Sequence, residues 1–309
     1  MVASIPHMEL ADDVDPEGRR WRANVGAPLA LDDAPPLAAP PEVVDVLCWN
    51  LALGAGDLEG LLARLRAQGV GARPERPLVL LLQEAYRVDA TVPLRPAHPG
   101  AIGGGRTPRR PQDIAATAAR LGLSLRYVPA MRNGRAPSDR GNAVAASVAL
   151  GPARAWPLRR YRQRRVAVAA TLAGLPDLAF VSVHLDVPLP GYRPMARRRQ
   201  AAQLVRALRR DASERAVVLG GDLNTPQGLR DPVCRLIERA GFQPWPRLRP
   251  WRHTYHGPWR LLLDHLWFLD PEGRLRPTPA ARLDEDPRDR GRVFGSDHHP
   301  LLASLRWRA

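Results

Sequence analysis

The strongest constraint in this sequence is a repeated junction, in which a short apolar run meets a residue able to hold a metal, a phosphate or a proton. It occurs in VVDVLCWN ending at Asn50, LVLLLQE ending at Glu84, and LAFVSVHLD carrying His184 and Asp186. It recurs in VVLGGDLNTP with Asp222 and Asn224, LLLDHLWF with Asp264 and His265, and GSDHHPLL with Ser296, Asp297, His298 and His299. One such junction is ordinary, because every strand ends in something polar. Six of them, rich in carboxylate, amide and imidazole, imply strands that deliver their ends to one edge of a sheet sandwich.

The residue types suit phosphate chemistry. A hard divalent cation takes oxygen ligands from a few carboxylates and keeps waters and a substrate phosphate. Glu84 and Asp297 can supply such oxygens. Asp222 and Asn224 stand two apart, so on a strand their side chains leave the same face. A carboxylate there can orient an attacking water, and an uncharged amide can bind a phosphate oxygen without repelling it. Imidazoles can donate to a pentavalent phosphorus centre, and an acid such as Asp264 can fix one ring and hold its charge. Asp186 and His299 are ambiguous: the first can support the site from behind, and the second can face away along its strand. His265 is expected to bond outside the site. His253 and His256, in WRHTYHGPWR, form either a substrate-side wall with Trp251 and Trp259 or an aromatic surface loop.

Periodicity predicts strands at Val43–Asn50, Leu78–Glu84, Ala143–Leu150, Val166–Leu172, Leu178–His184, Ala216–Asp222, Leu261–Leu269 and Leu301–Trp307. Helices are expected at Leu58–Gln68, Gln112–Leu121, Met195–Asp211 and Arg230–Ala240. Several strands follow one another with no helix between, so the sheets should be mixed. Residues 1–42, rich in Ala, Pro and Asp, with Asp12, Asp13, Asp15 and Glu17 together, read as a poorly ordered leader before one domain over 43–309. Gly103–Pro111 and Arg154–Arg165 read as arginine-rich surface loops.

At 309 residues and 45% hydrophobic, the chain can bury a sizeable core. No apolar run has the length of a membrane span, and Met1–Leu10 lacks the layout of a secretory signal, so a cytoplasmic monomer is expected. Cys48 and Cys234 lie far apart in no metal-ligand spacing, and Cys48 reads as a small core residue. The formal charge is +15, and there is no lysine, so all 46 Lys-plus-Arg positions are arginine. Arginine for lysine fits a GC-rich coding sequence, but the excess of positive charge still favours an anionic partner.

In order along the chain, the motifs WN, QE, GNA, HLD, GDLNTP, DH and SDHHP resemble the endonuclease/exonuclease/phosphatase superfamily, over nearly all of Val43 to Trp307. The resemblance implies a DNase I-like α/β fold, a four-layer α/β/β/α sandwich with two mixed sheets, and hydrolysis of phosphate esters with Mg²⁺ or Mn²⁺. It makes Glu84 the main metal carboxylate, with Asn50 and Asp297 beside it. Asp222 matches the position that activates water, and Asn224 the phosphate-binding amide. His298 matches the catalytic histidine, Asp264 its orienting acid, and His184 the second histidine at the scissile phosphate. Asn142 and Arg165 resemble substrate-binding positions. Relatives specialised for abasic DNA carry an acid where Ala52 stands and a tyrosine where His184 stands. HLD is closer to the general nucleases, deadenylases and sphingomyelinase-like phosphodiesterases. A nuclease on DNA or RNA is therefore expected, ahead of a phosphodiesterase or phosphatase on a small or lipid-derived phosphoester, and well ahead of a non-catalytic nucleic-acid-binding module.

Overall fold

Alternation with a period of two assigns each strand residue to a layer. In the computed structural model, which describes residues 8–105, 107–187, 195–211, 215–285 and 293–308, the first strands are β1 (Met8–Leu10), β2 (Leu29–Asp32), β3 (Val43–Asn50), β4 (Leu78–Arg87), β5 (Ser124–Arg132) and β6 (Asp139–Ala146). They continue with β7 (Leu150–Leu158), β8 (Arg165–Leu172), β9 (Leu175–His184), β10 (Ala216–Asp222), β11 (Gln243–Pro244) and β12 (Tyr255–His256). The last are β13 (Arg260–Leu261), β14 (Asp264–Leu269), β15 (Leu275–Pro277), β16 (Ala281–Arg282) and β17 (Leu301–Trp307). The helices are α1 (Pro16–Arg22), α2 (Leu58–Ala67), α3 (Ile114–Leu121), α4 (Met195–Asp211) and α5 (Pro232–Arg239). No described helix is long and apolar enough to cross a membrane.

One sheet has the order β1-β7-β8-β9-β10-β14-β11; the other runs β15-β17-β3-β4-β6-β5-β2, with β16 beside β17. Both are mixed, since β9–β10 and β3–β4 are parallel and most other pairs antiparallel. Val44, Val46 and Cys48 of β3 face Phe180 of β9 and Val218 of β10 in the core between the sheets. Leu47 and Trp49, the alternate residues of β3, pack outward with Leu61 and Leu65 of α2. On the other outer face Val217 and Leu219 meet Leu204 and Leu208 of α4 and Ile237 of α5. The architecture is the expected four-layer α/β/β/α sandwich. Full burial of each large apolar side chain contributes about 1.5–3 kcal/mol.

Element boundaries moved where caps and pairing outrank periodicity. Asp113 accepts from Ala116 N and Asp231 from Val233 N, so α3 and α5 begin one residue after their caps. The strand expected at Ala143–Leu150 divides into β6 and β7. Leu261–Leu269 yields β14 from Asp264 onward, while Arg260 and Leu261 pair with β12. β5 escaped prediction because Arg126 and Pro129 interrupt its pattern. Arg126 is nonetheless buried, donating to the carbonyls of Leu31, Leu125 and Leu150 and to Asp32.

The leader and one arginine segment correct each other. Residues 8–42 are built into the sandwich: β1 pairs with β7, β2 pairs with β5, and Trp21 is buried. Arg154–Leu158 is part of β7 rather than a loop. Arg164 Nε lies 2.8 Å from Asp13 Oδ1 with both side chains buried, and Arg160 pairs with Glu17. The acidic cluster is thus the counter-charge of the arginine segment, which composition read piecewise cannot show.

Candidate active site

The sheet registers gather the polar strand ends. In one sheet Asp222 pairs with His184 across parallel strands and with Asp264 across antiparallel ones. In the other, Asn50 pairs with Gln83, and the antiparallel β17 brings Asp297 and His298 back to the same edge. Two features keep the sheets close there. A Cβ on Gly220, beneath Asp222, would lie 2.7 Å from Leu81 Cδ1 and 2.9 Å from Leu266 Cδ2, so a larger residue there would have to push these side chains aside. Gln83, next to Glu84, reaches across to Ser182 Oγ at 3.0 Å.

Asn50, Glu84, His184, Asp222, Asn224, Asp297 and His298 all line one cleft of about 820 Å³. Asp222 is at its centre. Its Oδ2 accepts from Asn50 Nδ2 at 3.1 Å, and its Oδ1 accepts from the backbone N of Asn224 at 2.9 Å. Both histidines present Nε2 to it, His184 at 3.4 Å and His298 at 3.9 Å. Burial, then the charge of Asp264, pushes the Asp222 carboxyl up to about 7.

Asp264 lies behind the cleft wall. Its Oδ2 lies 2.8 Å from His298 Nδ1 and accepts from Thr254 Oγ1 at 2.6 Å. Burial works against a charged His298, but Asp264, Asp222 and Asp297 outweigh it and push the imidazole up to about 10. Burial likewise opposes the Asp264 charge, and His298 overcomes it, holding that carboxyl below its usual range. His298 is therefore an imidazolium at neutral pH. His184 is the opposite case: burial and the Arg165 charge hold it well below its usual range, so it is neutral. Arg165 Nη1 stands 3.0 Å from His184 Nδ1, and a guanidinium only donates. The proton of His184 is consequently on Nε2, directed toward the Asp222 carboxylate, while the neighbouring Asn224 Nδ2, itself a donor, is held by the Leu185 carbonyl.

The two positions expected to bind substrate have other partners. Asn142 is buried and donates to the Val166 carbonyl at 2.8 Å, and neither it nor Arg165 lines the cleft. Asp186 is buried and accepts from the backbone N of Arg162. His265 bonds Thr225 Oγ1 at 2.7 Å, outside the cleft, as expected. His299 faces away from the cleft toward Asp284.

The local backbone and several supporting contacts of the site carried no sequence signal. Glu84 and Asn224 both have φ of 51°, the left-handed region, and Glu84 falls at a break in the β4–β6 register. Such strain at non-glycine residues persists where the surroundings over-determine it, often at functional sites. Thr254 anchors Asp264, and the Tyr255 ring lies 5.0 Å from the His298 ring. Ser296 Oγ donates to the Asn50 carbonyl and accepts from His298 N, while Trp49 Nε1 holds the His298 carbonyl at 2.8 Å. WN and SDH are thus one interlocked unit. Arg109 and the 76%-exposed Trp259 stand on the cleft rim. Arg106 lies outside the described residues.

The donors fit a hard divalent cation. Glu84 and Asp297 keep side-chain exposures of 21% and 37%, so their oxygens reach the cleft. The Asn50 Oδ1 accepts one bond, from Ala52 N, leaving a second lone pair. Asp222, Asp264 and His298 also cluster, but the salt bridge between Asp264 and protonated His298 leaves that ring nitrogen no lone pair for a metal.

The fold and this site define a phosphoesterase built on a DNase I-like sandwich. The model of the endonuclease/exonuclease/phosphatase family matches residues 47–298, and the chain belongs to that family, whose members hydrolyse phosphate esters and generally depend on a divalent metal. Among solved structures it is similar to the human Nocturnin catalytic domain with bound sulfate: 15% identity, TM-score 0.59, covering 94% of this chain and 99% of that one. It is also similar to ANGEL2, a 2′,3′-cyclic phosphatase, with 15% identity, TM-score 0.55, and coverage of 85% and 95%. A third is D. rerio TDP2 complexed with a single-strand DNA product, with 14% identity, TM-score 0.55, and coverage of 85% and 99%. No curated protein sequence matches the chain.

Proposed function

We propose that this enzyme hydrolyses phosphodiester bonds of nucleic acid, with the attacking water oriented by Asp222. The observation that carries the reading is the convergence on Asp222 of an amide, a backbone N–H and two imidazoles in opposite charge states. Asp222 accepts the water's proton as the water attacks phosphorus in line, and the ester P–O bond opposite the water breaks, its oxygen leaving as the alcohol after taking a proton from solvent. Its raised pKa matches that task near neutral pH. His298, charged through Asp264, donates to a phosphoryl oxygen, where negative charge grows. His184 donates from Nε2, its tautomer fixed by Arg165. The Asn224 amide adds an uncharged donor, which no second anion repels. Glu84, with Asn50 and Asp297, would hold the divalent cation, Mg²⁺ or Mn²⁺, which supplies Lewis-acid neutralisation of the phosphoryl charge.

A polymer substrate is supported by the rim. The Trp259 indole is open for base stacking, and Arg109 is open for a phosphate on the same cleft. The net charge of +15 adds long-range attraction. The TDP2 structure with its single-strand DNA product gives a relative of this fold that engages DNA.

The test is hydrolysis of single-stranded DNA, RNA, plasmid DNA and bis(p-nitrophenyl) phosphate, with Mg²⁺ and with EDTA. Metal-dependent cleavage of a polymer is expected, with binding that weakens steeply as salt rises. Cleavage of the small ester alone, indifferent to salt, would overturn the polymer reading.

A further inference from the structure

The WRHTYHGPWR segment places His253 and His256 three residues apart, and neither lines the catalytic cleft. β12 runs beside the loop that carries Asp297 and His298: His256 N donates to the Asp297 carbonyl at 2.6 Å, and His299 N to the Thr254 carbonyl at 2.8 Å. Alternation along this pairing sends Tyr255 and His298 to the cleft and His256 and His299 to the other side, where the His253 ring, from the residues preceding β12, packs against both.

There the three rings form a near-regular triangle, with centroids 5.4, 5.7 and 6.1 Å apart. Three imidazoles around a tetrahedral ion with bonds of about 2.0–2.1 Å would place their centroids roughly 5.2 Å apart. One ligating atom from each ring already lies within 4.8 Å of the others, so closing on an ion takes small side-chain movements.

A second observation points to the missing occupant. His299 is only 4% exposed, and its Nδ1 faces acceptors alone, Asp284 Oδ1 at 2.7 Å and the Leu283 carbonyl at 3.3 Å. The proton is therefore on Nδ1. That leaves Nε2 as a bare lone pair, buried and with no partner among the described residues. A buried acceptor left unpaired is costly, and a carboxylate on the far nitrogen is the usual way a ligating histidine is oriented.

We propose that His253, His256 and His299 bind a transition-metal ion of the Zn²⁺ class, oriented by Asp284 and separate from the catalytic metal. Three imidazoles are borderline-soft nitrogen ligands, which select Zn²⁺ over Mg²⁺. Arg282 opposes the ion: its Nη1 lies 3.4 Å from His253 Nε2 and donates to the His253 carbonyl at 3.0 Å. The same guanidinium neutralises Asp284 at 3.0 Å, so the charges of that pair balance beside the three rings, provided Arg282 Nη1 yields His253. Once bound, the ion staples β12 to the loop holding Asp297 and His298. Its role is to stiffen the catalytic edge from behind, without touching substrate.

The test titrates Co²⁺ into the full chain with Mg²⁺ in excess, reading the visible absorption of tetrahedral cobalt, and then displaces it with Zn²⁺. One equivalent of tetrahedral Co²⁺ is expected, and Zn²⁺ at about a hundred times its Kd should raise Tm by roughly 5 °C. Both signals should vanish in the half-buried His256→Gln variant and persist in Glu84→Gln, while Asp284→Asn should weaken Zn²⁺ binding by roughly 10–100-fold. No tetrahedral band in the wild type, a band that survives His256→Gln, or one lost in Glu84→Gln would each overturn the proposal.

Discussion

Two buried polar regions, the catalytic edge and the clamp that fastens the N-terminal arm, use the same residue types to opposite ends. In the clamp every charge is answered: Arg164 meets Asp13 at 2.8 Å, and Arg87 forks onto Asp139, which also accepts from Tyr127 and Gly26 N. At the catalytic edge the charges are left in excess. Asp222 is buried beside Asp264 and pushed up to about 7, and His298 is pushed up to about 10 beside a neutral His184. A balanced buried network fixes a conformation; an unbalanced one holds protons and charge ready for a substrate and a cation.

The comparison can be broken first at the clamp. Asp13→Ala leaves Arg164 buried and uncompensated, which should cost about 3–5 kcal/mol and lower Tm on the order of 10 °C. Turnover per folded molecule should not change, and replacing both partners, Asp13→Leu with Arg164→Met, should restore most of the stability. A large fall in kcat at full folding would show that the clamp is part of the chemistry.

The catalytic edge should respond with the opposite sign. The folded pKa of Asp222, about 7, lies above its unfolded value, so burial costs nothing below the unfolded pKa and its full amount above about 7. Asp222→Asn should therefore raise Tm by several degrees at pH 8 in EDTA, and by clearly less at pH 5. Equal effects at both values would mean that the carboxylate is not destabilised by its surroundings. The smallest effect is expected at the rim, where Arg109→Ala should weaken single-stranded DNA binding a few-fold and reduce the salt slope by roughly 1. An unchanged slope would remove the rim from the binding path.

These regions also differ in how far they could be read from sequence. Asn50, Glu84, His184, Asp222, Asn224, Asp264, Asp297 and His298 were legible because each sits beside an apolar strand run, and strand periodicity survives in isolation. The clamp was not, since Asp13 and Arg164 lie 151 residues apart and each looked like solvated surface in its own neighbourhood. β5 was hidden because Arg126 occupies a core position, made tolerable by carbonyls from distant strands and by the Asp32 carboxylate. Thr254 and Tyr255 had no chemical signature and acquire their roles only through the pairing of β12 with the His298 loop. Asn142 and Arg165 were found by motif, yet here they support the site, Arg165 by fixing the His184 tautomer.

The most direct test of the account is kcat for Asp222→Asn and His298→Gln beside their melting temperatures, on whichever phosphodiester the wild type cleaves with Mg²⁺. Each substitution should lower kcat by at least about 10²–10³ while the protein stays folded. Turnover within tenfold of wild type in either folded variant would contradict the assignment of the chemistry to this cleft.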